Sequence, residues 1–193
     1  MFFNYKQSVY NIEWPEHLAE EGSPLRIPHI IKIEGNLIAK ALSENTKWDT
    51  FVDVGASEGL WTINMAKRFK HVIAIEPYPK AYEFLKKNTF SLSNVTILNH
   101  ALAQRNISKY KMIEGPSFNI GMTKRLNDFA LLDKQMLEEF HCETFTVEAK
   151  TLDSLELKNV DLIKIDAEGE EKNVLKGAKK TIEKFSPQII VDN

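Results

Sequence analysis

An α/β domain, doubly wound around a mostly parallel sheet, is what this sequence predicts. Three observations carry that expectation. Short continuous apolar runs such as FVDV (51–54), HVIAIE (71–76), VDLIKID (160–166) and QIIVD (188–192) recur along the chain. Segments with the apolar spacing of helices separate them. Strands without in/out alternation, each followed by a helix, imply a parallel sheet covered on both faces. The 193 residues, 43% hydrophobic and 27% charged, suffice for one domain with a substantial core.

Taken in order, residues 1–28 read as irregular, with Pro15, Pro24 and Pro28 and a turn-like EGSP at 21–24. HIIKIEGNLIAKALSE (29–44) spaces its apolar positions as a helix does, despite Gly35. Residues 1–50 are thus an N-terminal extension with a leading helix, and 51–193 the main domain. FVDV is the first buried strand, and 58–69 a helix that buries Leu60, Ile63, Met65, Ala66 and Phe69. HVIAIE is the second strand. Pro77 stops it, and Pro79 suits the first position of a helix over 79–88. NVTILNHAL (94–102) is the third strand.

The rhythm breaks over 105–150. ISKYKMI (107–113) and TFTVEA (144–149) alternate like strands with one exposed face. The loop EGPSFNIG and a helix over 126–140 lie between them. This segment reads as an insertion before the fourth strand, VDLIKID. A helix over 168–184 and the strand QIIVD complete the domain.

Bulk properties narrow the function. A formal net charge of −2 argues against a nucleic-acid partner or a membrane-surface patch. Cys142 is the single cysteine, so no internal disulfide forms, which fits a reducing compartment. No apolar stretch approaches the roughly 20 residues of a membrane span. The start, MFFNYKQSVYNIEW, lacks a basic segment followed by an apolar run, so the expected address is the cytoplasm.

The loop after the first strand, GASEG (55–59), admits three ligand chemistries. It matches G-x-S-x-G, with Ser57 as a hydrolase nucleophile, but that arrangement needs a later acid and then a histidine. No histidine follows Asp166, so this reading is remote. A dinucleotide would want glycine where Ser57 stands, and Asp53 would lie near the diphosphate. Two like charges about 4 Å apart repel by about 4 kcal/mol at an effective dielectric near 20. A ligand carrying an ammonium or sulfonium group turns Asp53 into an attraction. That is the acidic loop D-x-G-x-x-x-G of class I S-adenosylmethionine (SAM) enzymes. A purely structural glycine turn is its competitor. Glu76, 23 residues after Asp53 at the end of the next strand, can accept both ribose hydroxyls. Ala101 and Leu102, with Asn99 and His100, would border the adenine.

A second constellation is TLDSLELKNVDLIKIDAEGEEKNVLKGA (151–178). Strand alternation puts Lys164 and Asp166 on one face. A lone buried ammonium is costly, so Lys164 needs a partner, with Asp166 nearest and Glu168 next. A buried ion pair with acids at a helix N-terminus is one reading. A base, proton relay or metal ligand beside a reacting group is the other.

The sequence resembles the FkbM family of SAM-dependent methyltransferases. The matching pieces are FVDVGASEG, the IEP at 75–77, TLDSL at 151–155 and VDLIKIDAEGEEKNVLKGA at 160–178. The resemblance implies a Rossmann-like class I fold, with SAM as cofactor. It also implies methyl transfer, usually to a hydroxyl of a sugar, glycan, glycolipid or natural product. Asp53, Gly55, Ala56, Ser57, Gly59 and Glu76 would bind the cofactor. Asp166 would be the base, with His100 second and Lys164 and Glu168 nearby. A divalent metal, if used, would sit on Asp166, Glu168 and Asp192. Trp61, Phe118, Asn119 and Met122 are candidate pocket-lining residues. The family normally continues with two further strands after the fifth. Nothing follows Asn193 here, so the sheet is expected to be shorter, to be completed by the insertion strands, or to belong to a longer chain; an open sheet edge would invite pairing with a second copy, a homodimer. A SAM-binding protein without catalysis is the alternative.

Overall fold

The computed structural model describes residues 2–7, 10–15, 26–116, 122–127 and 131–191, with side chains from Glu34 onward. In chain order its strands and helices are β1 (Phe2–Gln7), β2 (Tyr10–Pro15), α1 (Arg26–Glu44), β3 (Thr50–Val54), α2 (Leu60–Met65), β4 (His71–Ile75), α3 (Pro79–Thr89), β5 (Val95–Leu98), β6 (Ala101–Leu102), β7 (Ile107–Ile113), β8 (Lys124–Arg125), α4 (Leu131–Glu138), β9 (Thr144–Lys150), β10 (Val160–Ile165), α5 (Glu171–Gly177), α6 (Lys179–Phe185) and β11 (Gln188–Val191). A single 3₁₀ turn, Leu152–Leu155, links β9 to β10.

Five parallel strands form the main sheet in the order β11-β10-β3-β4-β5. The chain winds outward from β3 to β5, then crosses back to β10 and out to β11. Strand order therefore reverses between β3 and β10, and a crevice opens beyond their carboxyl ends. Period-2 alternation sends Phe51, Val72 and Leu162 to one face, where Trp61, Met65 and Phe69 cover them. Val52, Val54, Ile163 and Ile165 go to the other face, under Val174 and Ala178. Each such fully buried large side chain contributes about 1.5–3 kcal/mol of transfer free energy. This double-sided burial makes the strands continuously apolar, and it confirms the predicted fold class.

The insertion does not widen this sheet. With β6 it builds a second one, ordered β6-β9-β7-β8, parallel between β6 and β9 and antiparallel elsewhere. The expected third strand is accordingly two strands in two sheets. Asn99 causes the change of direction: its side-chain amide donates to the carbonyls of Glu76 (2.8 Å) and Pro77 (3.1 Å). This anchors the chain to the end of β4, and Ala101 and Leu102 then pair with Ala149 and Lys150.

Other boundaries also differ from expectation. Residues 2–7 and 10–15 form an antiparallel strand pair where the prolines suggested irregular chain. The leading helix begins at Arg26, ahead of Pro28, which its first turn tolerates. The insertion helix is shorter, Leu131–Glu138. The helix expected over 168–184 breaks at Ala178. The break follows Gly177, where a Cβ would lie 2.2 Å from the Ala103 carbonyl oxygen, so the chain presses directly on the β6 segment. Among the described residues no helix is long and apolar enough to cross a membrane.

Candidate active site

At the β3/β10 switch the backbone itself comes close. Gly55 has φ +73°, and a Cβ there would fall 1.8 Å from the Asp166 carbonyl oxygen. The missing side chain thus serves the approach of two strand ends, in addition to any place Gly55 has in a cofactor site. Gly59, at φ +96°, similarly admits Leu85 of α3. Ser57 is also left-handed, at φ 48°. Its hydroxyl donates to Glu58 Oε2 (2.6 Å), not to an imidazole.

Behind this loop lies a buried charge network. Asp53 is wholly buried, and its Oδ2 accepts a hydrogen bond from the Thr62 hydroxyl (2.6 Å). Its Oδ1 makes no hydrogen bond and faces Lys164 Nζ at 3.7 Å. Lys164 Nζ donates to the Gly55 carbonyl (2.8 Å) and to Asp166 Oδ2 (3.3 Å). Burial raises the pKa of the Asp53 carboxyl, while Lys164 and Thr62 oppose the rise. Burial disfavours the Lys164 ammonium, but Asp53 and Asp166 outweigh it and raise its pKa, so the lysine stays charged. The ammonium thereby ties the loop of β3 to the end of β10.

One turn along the sheet edge, Glu76 is 6% exposed. Its two oxygens accept from the backbone N–H groups of Ser57 and Tyr78, each at 2.8 Å. Burial pushes its pKa up, against those two donors, to about 7. The carboxyl is therefore held at a fixed orientation while its ionisation stays within reach of neutral pH.

These groups edge a cavity at the carboxyl ends of the sheet. Its floor includes Gly55, Ser57, Glu76, Ala101, Leu102 and Asp166, and His100 and Glu168 also line it. Asp53, Ala56, Gly59 and Lys164 do not: they stand behind the wall and shape it. Burial and Lys150 lower the His100 pKa, so its imidazole is neutral at neutral pH. Glu148 at 3.9 Å is too far for a hydrogen bond. Among the described residues no three His, Cys, Asp or Glu side chains converge as a metal would require. Asp192, Phe118 and Asn119 lie outside the described residues. Trp61 is no pocket residue: it packs on Phe51 (ring centroids 6.3 Å) in the core and donates to Glu34 (2.5 Å). Met122 does not line the cavity either.

The far wall comes from residues the sequence reading missed: Tyr78, Tyr110, Met112, Thr123, Arg125 and Glu170. The Tyr110 hydroxyl donates to Glu170 Oε2 (2.9 Å), and the Tyr78 hydroxyl to Glu114 Oε2 (2.7 Å). Burial, then the adjoining carboxylate, raises both phenol pKa values, so both stay protonated. Alternation in ISKYKMI could have placed Tyr110 and Met112 inward. Nothing local in the sequence marks Arg125 or Glu170.

An acid-edged, partly apolar crevice at a parallel switch point is what a cationic nucleoside cofactor needs, and comparison with known proteins specifies which. The methyltransferase FkbM domain family matches residues 53–192. The chain belongs to the FkbM methyltransferase family. It is by that membership a SAM-dependent methyltransferase, as its motifs implied. A probable cobalt-precorrin-6B C(15)-methyltransferase (decarboxylating) of Methanocaldococcus jannaschii is 30% identical over 163 residues, 81% of this chain and 84% of that protein. The crystal structure of an FkbM methyltransferase from Methylobacillus flagellatus superposes with TM-score 0.50 at 19% identity, which shows the fold. The match covers 75% of this chain and 32% of that one, so this chain spans about a third of the Methylobacillus protein. A precorrin-8w decarboxylase of Methanobacterium thermoautotrophicum gives TM-score 0.48 at 20% identity, covering 82% of this chain and 61% of the other.

Proposed function

We propose that the protein methylates a hydroxyl oxygen of a sugar, glycan, glycolipid or natural product, with Asp166 as general base. One observation carries the reading. Asp166 ends β10 at the switch point, lines the cavity, and is steadied by Lys164 Nζ at 3.3 Å. Its side chain keeps 36% exposure, so an acceptor can reach it.

The residues present fit SAM. Glu76 offers an oriented carboxylate for the ribose hydroxyls, and Ile75, Pro77 and Leu102 offer apolar flanks for a base. SAM supplies an already activated methyl, so the chain's task is alignment. Glu76 and the 55–57 backbone bind and orient the donor. Lys164 holds the loop and Asp166 in fixed relation, and positioning of that kind can supply much of the rate. Asp166 accepts the proton as the acceptor oxygen attacks. Neutral His100 is the alternative proton acceptor.

The Methanocaldococcus relative supports a second reading, methylation of carbon, because its name specifies a C(15)-methyltransferase. Incubation with SAM carrying an isotopically labelled methyl, across a panel of hydroxylated acceptors, separates the two by the chemical shift of the transferred carbon. Asp166→Asn should lower kcat by about a hundredfold or more while leaving SAM affinity near the parent value. Parent-level turnover in that variant would remove Asp166 as base.

A further inference from the structure

Beyond Tyr110 a second cavity opens, and the two share a wall. Tyr110, Arg125 and Glu170 line both. Gln104, Arg105 and Asn173 contribute to the outer one. The charges around the outer cavity do not cancel. Glu170 Oε1 faces Arg125 at 3.5 Å, and its Oε2 accepts from the Tyr110 hydroxyl (2.9 Å) and the Asn173 amide (2.8 Å). Arg125 also lies over the Tyr110 ring, 5.5 Å from its centroid. Glu170 is thus satisfied within the wall. Arg105 is exposed and has no ion pair among the described residues, so its charge is left over. The inner cavity has the opposite sign, edged by Glu76, Asp166 and Glu168.

Resting on the methyltransferase reading, we infer that the acceptor is anionic. Its carboxylate or phosphate binds Arg105 in the outer cavity, and the atom to be methylated passes Tyr110 and Arg125 into the inner one. A neutral acceptor gains nothing from the guanidinium, whereas an oxyanion meets a planar fork of donors matched to its geometry. The same polarity keeps the anion away from the acid-edged donor pocket and orients the acceptor end-on.

The test uses protein loaded with S-adenosylhomocysteine, the demethylated product, whose own binding is measured first by calorimetry. Benzoate, phenyl phosphate and neutral benzyl alcohol are then titrated in. The expected result is binding of at least one anion about tenfold or more tighter than the alcohol. Arg105→Gln should abolish that preference, and Arg105→Lys should retain part of it. The tighter anion identifies carboxylate or phosphate as the preferred group. The inference fails if the alcohol binds as tightly as the anions. It fails equally if neither anion binds the parent, or if Arg105→Gln binds them as the parent does. Intact product binding alongside any of these failures confines the error to the acceptor's charge. Absence of product binding overturns the methyltransferase reading itself.

Discussion

The two ends of the candidate active-site crevice are built on different principles. At the inner end, Asp53, Lys164 and Glu76 are each less than a tenth exposed: the Thr62 hydroxyl and Lys164 hold Asp53, the Gly55 carbonyl and Asp166 hold Lys164, and two backbone N–H groups hold Glu76. At the outer end, Arg125 is 51% exposed, sits on the two-residue strand β8, and meets Glu170 at a loose 3.5 Å. The inner end is held by interactions that are costly to break. At the outer end the exposed Arg125–Glu170 pair is close to neutral in free energy. Under the proposed function, one scaffold can thus hold a fixed donor while its acceptor wall varies, because function sits in what is grafted onto the fold.

The contrast breaks most severely at Gly55. Gly55→Ala puts a Cβ 1.8 Å from the Asp166 carbonyl at a left-handed φ, and should cost about 4 kcal/mol or more of stability in denaturant titration. Gly169→Ala, also left-handed at φ +95° but with open space around the new Cβ, should cost only about 1–2 kcal/mol. A similar cost at both positions would show that strand-end contact is not what Gly55 serves.

Next comes Lys164→Met. It leaves Asp53 and the Gly55 carbonyl without their cation, and should lower stability by about 3 kcal/mol or more. Loss of less than about 1 kcal/mol would mean the buried network is not what fixes the inner end.

Glu76 gives a smaller, pH-dependent effect. An unfolded glutamate ionises near 4.5, whereas Glu76 in the fold does so near 7. Between those values the unfolded chain has released a proton that the native state keeps. Its contribution to stability is complete below about 4.5 and is lost as pH rises toward about 7. The parent should therefore lose about 1–3 kcal/mol relative to Glu76→Gln across that window. Parallel stability curves would place the Glu76 pKa at its ordinary value.

The smallest effect belongs to the outer wall. Arg125→Gln should change stability by no more than about 1 kcal/mol, as exposed ion pairs usually do. A larger loss would erase the distinction between the two ends.

Legibility in the sequence follows the same division. FVDVGASEG, IEP and LIKID each place a chemically telling residue at the end of an apolar strand, so local pattern alone located Asp53, Glu76 and Asp166. Their packing was less visible. Asp53 and Lys164 prove to be register partners across two strands more than a hundred residues apart, which only strand order can reveal. The outer wall was hardest to read. Tyr110, Arg125 and Glu170 come from a strand, a two-residue strand and a turn, and they converge only because the insertion folds into its own sheet. The expectation of a single strand through NVTILNHAL failed for a related reason. Apolar continuity cannot show that Asn99 ties the chain to β4 and redirects it.

We propose that Glu76 orients the donor at the inner end by accepting from its ribose hydroxyls. Calorimetric titration of S-adenosylhomocysteine at roughly pH 6 and roughly pH 8 tests it most directly. Binding should be about tenfold tighter at the higher pH, as the carboxyl ionises near 7, with a flattened dependence in Glu76→Gln. Absence of heat at either pH, or the same pH dependence in the variant, would contradict it.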